Sequence, residues 1–465
     1  MSRIEEGLLL GPSKRRKALS IFTRCAIAII ILVVYYFQVP PNYHGNGTVD
    51  GTPMGRFVNI AFGQQQQQQQ QSSLPQLDDE ALLVQPVIEE ELLFPTSMVF
   101  VDNNTILVTQ KNDGSVITVI NDTLKEQPLI SVQVNNEGLK GLLGIAAMDK
   151  PSSSSHDKFI FLYFSELYEE DQTRNSVYRY EWNHEDHILA NGTMILDLPA
   201  ELESIHNGGK LEADKKGNLY AVIGDLSRDG QLQNVPEGSA ADDTSVIFRI
   251  TENGSSVAGN PFINSNDERL QKYYAYGIRN SFGLAVDPIS GLLWDTENGP
   301  DSYDELNPVY PGFNSGWNKI MGPISDSDIE QEDLEEQLAV FEGSKYIDPV
   351  FSWEEPIGVT DLEFLNSTAL GPEYAYNLFV GDINNGNLYY FQLNDNRTGI
   401  KLDENDLEDL RDQVADDEEE MSEIAFGSGF EGGITDIETG ADGFLYVLTF
   451  NGSIYRITPV TDGNR

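Results

Sequence analysis

Cysteine is almost missing from the 465 residues: the single one, Cys25, lies in an apolar stretch near the N-terminus. A lone thiol closes no intramolecular disulfide and supports no thiolate metal cluster. Basic residues are scarce too, with 29 Lys and Arg against 75 Asp and Glu and a formal charge of −46. Such a surface repels a polyanion, which removes nucleic acid from the partner classes, and it suits a protein facing salt or an extracellular medium. No G-x-S-x-G elbow occurs, and no serine stands out beside a histidine, so hydrolase arrangements gain nothing. Past the N-terminus, long amphipathic helical patterns are absent, which leaves an all-β body as the economical reading.

The N-terminus reads clearly. Lys14, Arg15, Arg16 and Lys17 precede an apolar run over residues 19–39, long enough at about 1.5 Å per residue to cross roughly 30 Å of hydrocarbon. Arg24 lies one turn from the basic end, where its guanidinium can reach back to the headgroups. Positive-inside logic makes residues 1–18 a cytoplasmic tail, 19–39 a single-pass anchor and the remainder extracellular. A cleaved signal peptide is the competing reading, although no A-x-A-like site follows the apolar run. Residues 40–88, with an eight-Gln run flanked by Gly and Pro, have no apolar periodicity and read as a disordered tether. Residues 403–423 hold twelve Asp and Glu among 21 residues and read as a solvated surface insertion. N-x-S/T triplets begin at Asn46, Asn103, Asn121, Asn191, Asn253, Asn366, Asn396 and Asn451, compatible with surface glycosylation.

Residues 89–462 repeat a local pattern in which a turn rich in Asp, Asn or Gly leads into an apolar strand, another turn and a second strand. Instances include "DNNTILVTQKNDGSVITVI", "KKGNLYAVIGD" with "SVIFRI", "YNLFVGDINNGNLYYFQL" and "ADGFLYVLTFNGSIYRITPV". The pattern recurs six times at spacings of roughly 55 to 85 residues, too long for a bare solenoid repeat and suited to four-stranded blades with loop insertions. The expectation is a six-bladed β-propeller of four-stranded antiparallel blades, closed so that no edge is left open, with a two-sheet sandwich as the alternative. Functional residues then belong on loops around the central channel.

Three segments, "HNGGKLEADKKGNLYAVIGD", "YGIRNSFGLAVDPISGLLWDTENGPDSYDELN" and "PGFNSGWN", together with "GLKGLLGIAAMD" upstream, resemble in order and spacing the glucose/sorbosone dehydrogenase family. That family comprises propellers related to pyrroloquinoline-quinone-dependent aldose sugar dehydrogenases. The resemblance implies an oxidoreductase acting on a sugar or related hydroxyl compound. His206 matches the histidine that takes the hydroxyl proton, a role that a neutral imidazole can fill at ordinary pH. Asp225 matches the carboxylate that orients it. Arg279 and Asn280 match polar groups that face the quinone, where a guanidinium stabilises developing negative charge. Gly208 and Gly209 would let the backbone approach a flat cofactor. In the calcium loop of the family, the carbonyls matching Gly299 and Pro300 bind the ion and the carboxylate matching Glu305 belongs to a neighbouring calcium, a hard-oxygen set that suits this cation. The other histidines carry less: His184 and His187 form an "HEDH" in a polar turn, His44 lies in the tether and His156 follows a four-serine run.

The chain departs from the family in the last two blades, where lysine and arginine neutralise the cofactor carboxylates. Here those segments carry Asn384, Asn385, Gly433 and Thr435. Unpaired buried carboxylates are costly, so calcium or a lysine from elsewhere, such as Lys111 or Lys210, has to compensate. Two function classes follow: a membrane-anchored, outward-facing quinoprotein-like aldose dehydrogenase, or a calcium-stabilised propeller that binds glycans or surface partners without turnover. No residue pattern names the electron acceptor.

Overall fold

The computed structural model describes residues 74–151, 157–169, 172–201, 205–402 and 409–461. The expected tail, anchor and most of the tether fall outside the described residues, as do residues 403–408 of the acidic run. Among the described residues, no helix is long and apolar enough to cross a membrane.

These residues fold as an all-β propeller made of six sheets. The innermost strands are Pro95–Asp102, Leu142–Asp149, Leu211–Ala213, Ser281–Val286, Val359–Phe364 and Ile434–Thr439. Each lies beside the next and the last returns to the first, which closes the ring. Side chains stitch neighbouring sheets together at this inner layer. Asp436 Oδ2 accepts from Met98 N at 2.7 Å, and Thr360 Oγ1 donates to Ile434 O at 2.9 Å.

The second strands show why the sequence reads as strongly apolar. Thr105–Gln110, Asn218–Ile223, Leu378–Asp382 and Leu445–Thr449 are buried at nearly every position because sheets pack on both of their faces. Three tryptophans, Trp182, Trp294 and Trp353, are fully buried between sheets, where large aromatics supply much of the apolar area.

Three expectations are corrected. Only the second and sixth sheets keep to four strands; the others gain short edge strands that pair with otherwise open backbone, among them Val414–Ala415 beside Phe351–Trp353. The acidic run is therefore partly built in: Leu410 is buried, and Asp417 caps Glu418–Glu423 by accepting from the amides of Glu419 and Glu420. The propeller also starts earlier than residue 89. Gln76–Leu77 pairs with Ala425–Ser428, and Leu82–Ile88 pairs with Ile454–Pro459, so the two ends of the domain share one sheet. This strand carries Pro86, and proline is tolerated on an outermost strand.

Strands within each sheet are mainly antiparallel. The segment leading into each innermost strand and the hairpin joining the second and third strands therefore emerge on the same face of the ring. That face collects Lys111, Lys140, His206–Gly209, Asp225, Arg279–Asn280, Gly299–Pro300 and Gly433.

Candidate active site

Sequence connectivity puts His206 ahead of Leu211–Ala213 and Asp225 after Asn218–Ile223, two paired strands of the third sheet. His206 Nδ1 and Asp225 Oδ1 lie 2.6 Å apart, and both side chains are buried. Three further contacts hold Asp225. Its Oδ1 accepts from Ser227 N at 2.7 Å, its Oδ2 accepts from Trp317 Nε1 at 2.7 Å, and its amide donates to Arg279 O at 2.9 Å. A carboxylate held in this way fixes the ring orientation and the proton on Nδ1, which leaves Nε2 as the basic nitrogen. Substituting Asp225→Asn lets an amide donate to Nδ1 and move the ring proton to Nε2; kcat is expected to fall about 10²-fold or more with KM little changed. Steady-state kinetics on the folded variant check this, and an unchanged kcat would remove Asp225 from the orienting role.

Arg279 comes from the neighbouring fourth sheet. Its Nη1 donates to Asn298 O at 2.9 Å, and its guanidinium lies 5.3 Å from the ring centre of Trp317. The buried Nε has no acceptor among the described residues. Burial holds this guanidinium below its ordinary pKa, opposed by Asp225 and Glu297. Asn280 Oδ1 accepts from Gly208 N at 3.3 Å, so it positions the histidine loop. His206, Asp225, Arg279 and Asn280 thus converge.

Three neighbours of this group escaped the sequence reading. Trp317 ties Asp225 to Arg279 and was legible only as part of "SGWN". Gly224 separates the two loops: a Cβ there would lie 2.5 Å from Arg279 O and 2.6 Å from His206 O. Its signal is the glycine immediately before Asp225. Lys140 is buried one residue before Gly141, at the start of the second sheet's innermost strand.

The two glycines of the histidine loop have a packing role. A Cβ on Gly208, at φ +61°, would meet Val222 O at 2.6 Å, and one on Gly209 would meet Leu143 Cβ at 2.6 Å. Packing against adjacent strands therefore requires glycine at both positions.

Gly299 and Pro300 lie in the turn between Leu293–Glu297 and Asp304–Val309, directly after Asn298, whose carbonyl accepts from Arg279 and whose amide donates to Asn280 O at 2.8 Å. Asp304 anchors this turn by accepting from Gly299 N at 2.9 Å and from Gly358 N at 2.7 Å. Glu305 is buried opposite Glu297 in register, with its Oε1 accepting from Gly322 N at 2.6 Å. Burial holds Asp295, Glu297 and Glu305 above the usual carboxylate range, and mutual repulsion adds to the effect for Asp295 and Glu305. No group of three or more His, Cys, Asp or Glu side chains among the described residues is gathered as a metal cluster. Backbone carbonyls with one or two carboxylates remain, an oxygen donor set that fits calcium.

The missing cations have a structural reason. Gly433 cannot carry a side chain, because a Cβ would lie 2.1 Å from Ile383 O. Lys210 is taken elsewhere: its ammonium is buried and meets Asp361 at 2.7 Å and Asp436 at 3.2 Å. Of the two lysines considered as replacements, only Lys111 stays unclaimed by carboxylates among the described residues.

The family described as Glucose / Sorbosone dehydrogenase matches residues 92–456. The aldose sugar dehydrogenase YliI of Escherichia coli is 26% identical over 378 residues, covering 80% of this chain and 92% of that protein. The apo form of the soluble aldose sugar dehydrogenase from Escherichia coli superposes with a TM-score of 0.63 at 24% identity, covering 82% of this chain and all of that one. The PQQ-bound aldose sugar dehydrogenase from Streptomyces coelicolor gives 0.59 at 21% identity, covering 81% of this chain and 98% of that one.

Proposed function

Because the chain belongs to the glucose/sorbosone dehydrogenase family, we propose that it oxidises an aldose or related hydroxyl compound at a CH–OH carbon. The pairing of His206 with Asp225 at 2.6 Å carries this reading. His206 Nε2 takes the hydroxyl proton as the C–H bond gives up its hydride. Asp225 stabilises the imidazolium that forms, and Trp317 keeps that carboxylate from turning away. Arg279 offers donors where negative charge develops, and its partial burial strengthens them. Pyrroloquinoline quinone, when bound, supplies the two-electron acceptor for the hydride. The unused Nε donor of Arg279 fits such an oxygen-rich group.

We place calcium at the Gly299–Pro300 turn and beside Glu305. Carboxylates whose ionisation burial opposes are expected to ionise around such an ion, and binding adds stability, about 2.7 kcal/mol at a hundredfold excess over Kd. Chelation should therefore lower Tm, calcium should restore it, and Glu305→Gln should blunt the response. A Tm indifferent to chelator and calcium would refute the placement. Residues 19–39 would anchor the propeller to the cell membrane with its catalytic face outside, and surface glycans on the sequons would fit that setting.

The experiment that tests the function titrates the purified protein with pyrroloquinoline quinone and calcium and follows dye reduction with a panel of aldoses. Saturable turnover supports it, and no turnover with any aldose sinks it. One observation favours the second reading, a non-catalytic calcium-stabilised propeller that binds glycans or surface partners. The loops around Asn384 and Gly433 provide no cation for the cofactor carboxylates, and at Gly433 the backbone forbids one.

A further inference from the structure

Lys111 and Lys140 are buried in a chain of strongly negative charge, on the same face of the ring as His206. Lys111 follows the strand Thr105–Gln110 of the first sheet, and Lys140 leads into Leu142–Asp149 of the second. The two segments are locked together, since Leu142 N donates to Lys111 O at 3.0 Å and a Cβ on Gly141 would lie 2.7 Å from Lys111 Cγ. The Lys140 segment touches the histidine loop in turn, because the Cβ missing from Gly209 would meet Leu143. The first sheet stands across the ring from the fourth, which supplies Arg279.

The ammonium of Lys111 donates to Gly138 O at 2.7 Å and to Asn112 Oδ1 at 3.1 Å, both neutral groups. The nearby carboxylates are engaged otherwise. Asp113, on the same hairpin, accepts from Ser115 and Gln110, and Glu137, on the incoming segment, acts on Lys140. Burial, with Lys140 adding to it, pulls Lys111 down to about 8, and burial lowers Lys140 as well. Lys140 acts against the charge on Lys111, and an anion reaching both offsets that repulsion. Leu139 and Ile205, next to Lys140 and His206 in sequence, are large apolar residues about half exposed on this face.

We propose that Lys111 and Lys140 form a carboxylate-binding pair that takes the carboxylates of a flat, polyanionic cofactor, in place of the cations that the last two sheets do not supply. The apolar neighbours suit the faces of such a ring system, and Arg279 across the mouth suits its far edge. The assignment rests on the dehydrogenase reading for the identity of the cofactor. Carboxylate is the shared chemistry, and a sugar acid is its other source.

Isothermal titration of the full chain distinguishes the sources, with pyrroloquinoline quinone plus calcium in one arm and D-glucuronate in the other. Wild type, Lys111→Met, Lys140→Met and Lys111→Arg are compared, with thermal melts to confirm folding. Each Met variant is expected to lose quinone affinity by about ten-fold or more, whereas Lys111→Arg keeps it. Wild-type affinity should also fall as pH rises past 8, where Lys111 loses its proton. Equal quinone affinity in all four proteins overturns the pair and leaves the dehydrogenase reading standing. Glucuronate binding that depends on Lys111, with no quinone binding, overturns the dehydrogenase reading and assigns the pair to a sugar acid. Binding of neither ligand by wild type overturns both.

Discussion

Replacing His206 by alanine is expected to lower kcat by about 10²- to 10⁴-fold, the usual weight of a positioned general base. The variant should remain folded, because Asp225 keeps two donors when the imidazole is gone: Ser227 N and Trp317 Nε1, each at 2.7 Å. The loop is also held without the ring, by Gly209 N donating to Val222 O and by Tyr163 Oη donating to Asn207 O. A Tm close to wild type with turnover lost would assign His206 to proton removal. Turnover retained within a few-fold would exclude it as the base and turn attention to the second reading, in which the face binds without reacting.

Lys210→Met is expected to be the most damaging single change to stability, at about 3–5 kcal/mol, because it leaves buried carboxylates unpaired. Lys210 lies at the start of an innermost strand, and its ammonium crosses to Asp361 and Asp436 on the innermost strands of the fifth and sixth sheets. Burial alone would lower its pKa, but Asp361, Asp436 and Glu438 outweigh burial and raise it, so the lysine stays charged. The same two aspartates also accept backbone amides, Ile437 N for Asp361 and Met98 N for Asp436, so removing the cation disturbs four sheets at once. Urea unfolding of Lys210→Met, beside the triple variant with Asp361→Asn and Asp436→Asn, checks the cause. The triple variant should recover much of the loss; a single variant as stable as wild type would show that the channel ion pair contributes nothing.

Strand content and the repeated hairpins were legible along the chain. Segments such as "TILVTQ" and "SVITVI" concentrate β-branched residues between Asp, Asn and Gly turns, and they form adjacent strands in the structure. The innermost strands were harder to read. Leu211–Ala213 has only three residues, and Val359–Phe364 carries Asp361 and Glu363 toward the channel, so neither shows an apolar run. Leu82–Ile88 follows the Gln-rich stretch and falls within the expected tether; its proline is acceptable only on an outermost strand, and strand position is a property of the closed ring.

Within the candidate site, the sequence alone determined the residue types: a histidine ahead of two glycines, a carboxylate closing the next strand, and an Arg-Asn pair in the following repeat. It also showed that the positions around Asn384 and Gly433 carry no cation. Distances between residues tens of positions apart are set by how sheets pack around the axis, and local propensity carries no record of them. Only the tertiary structure therefore decided that Trp317 spans from Asp225 to Arg279, that Lys210 is spent inside the channel, and that the Lys111 and Lys140 segments join on the face that carries His206. Burial, which makes those charges matter, is likewise a product of the closed ring.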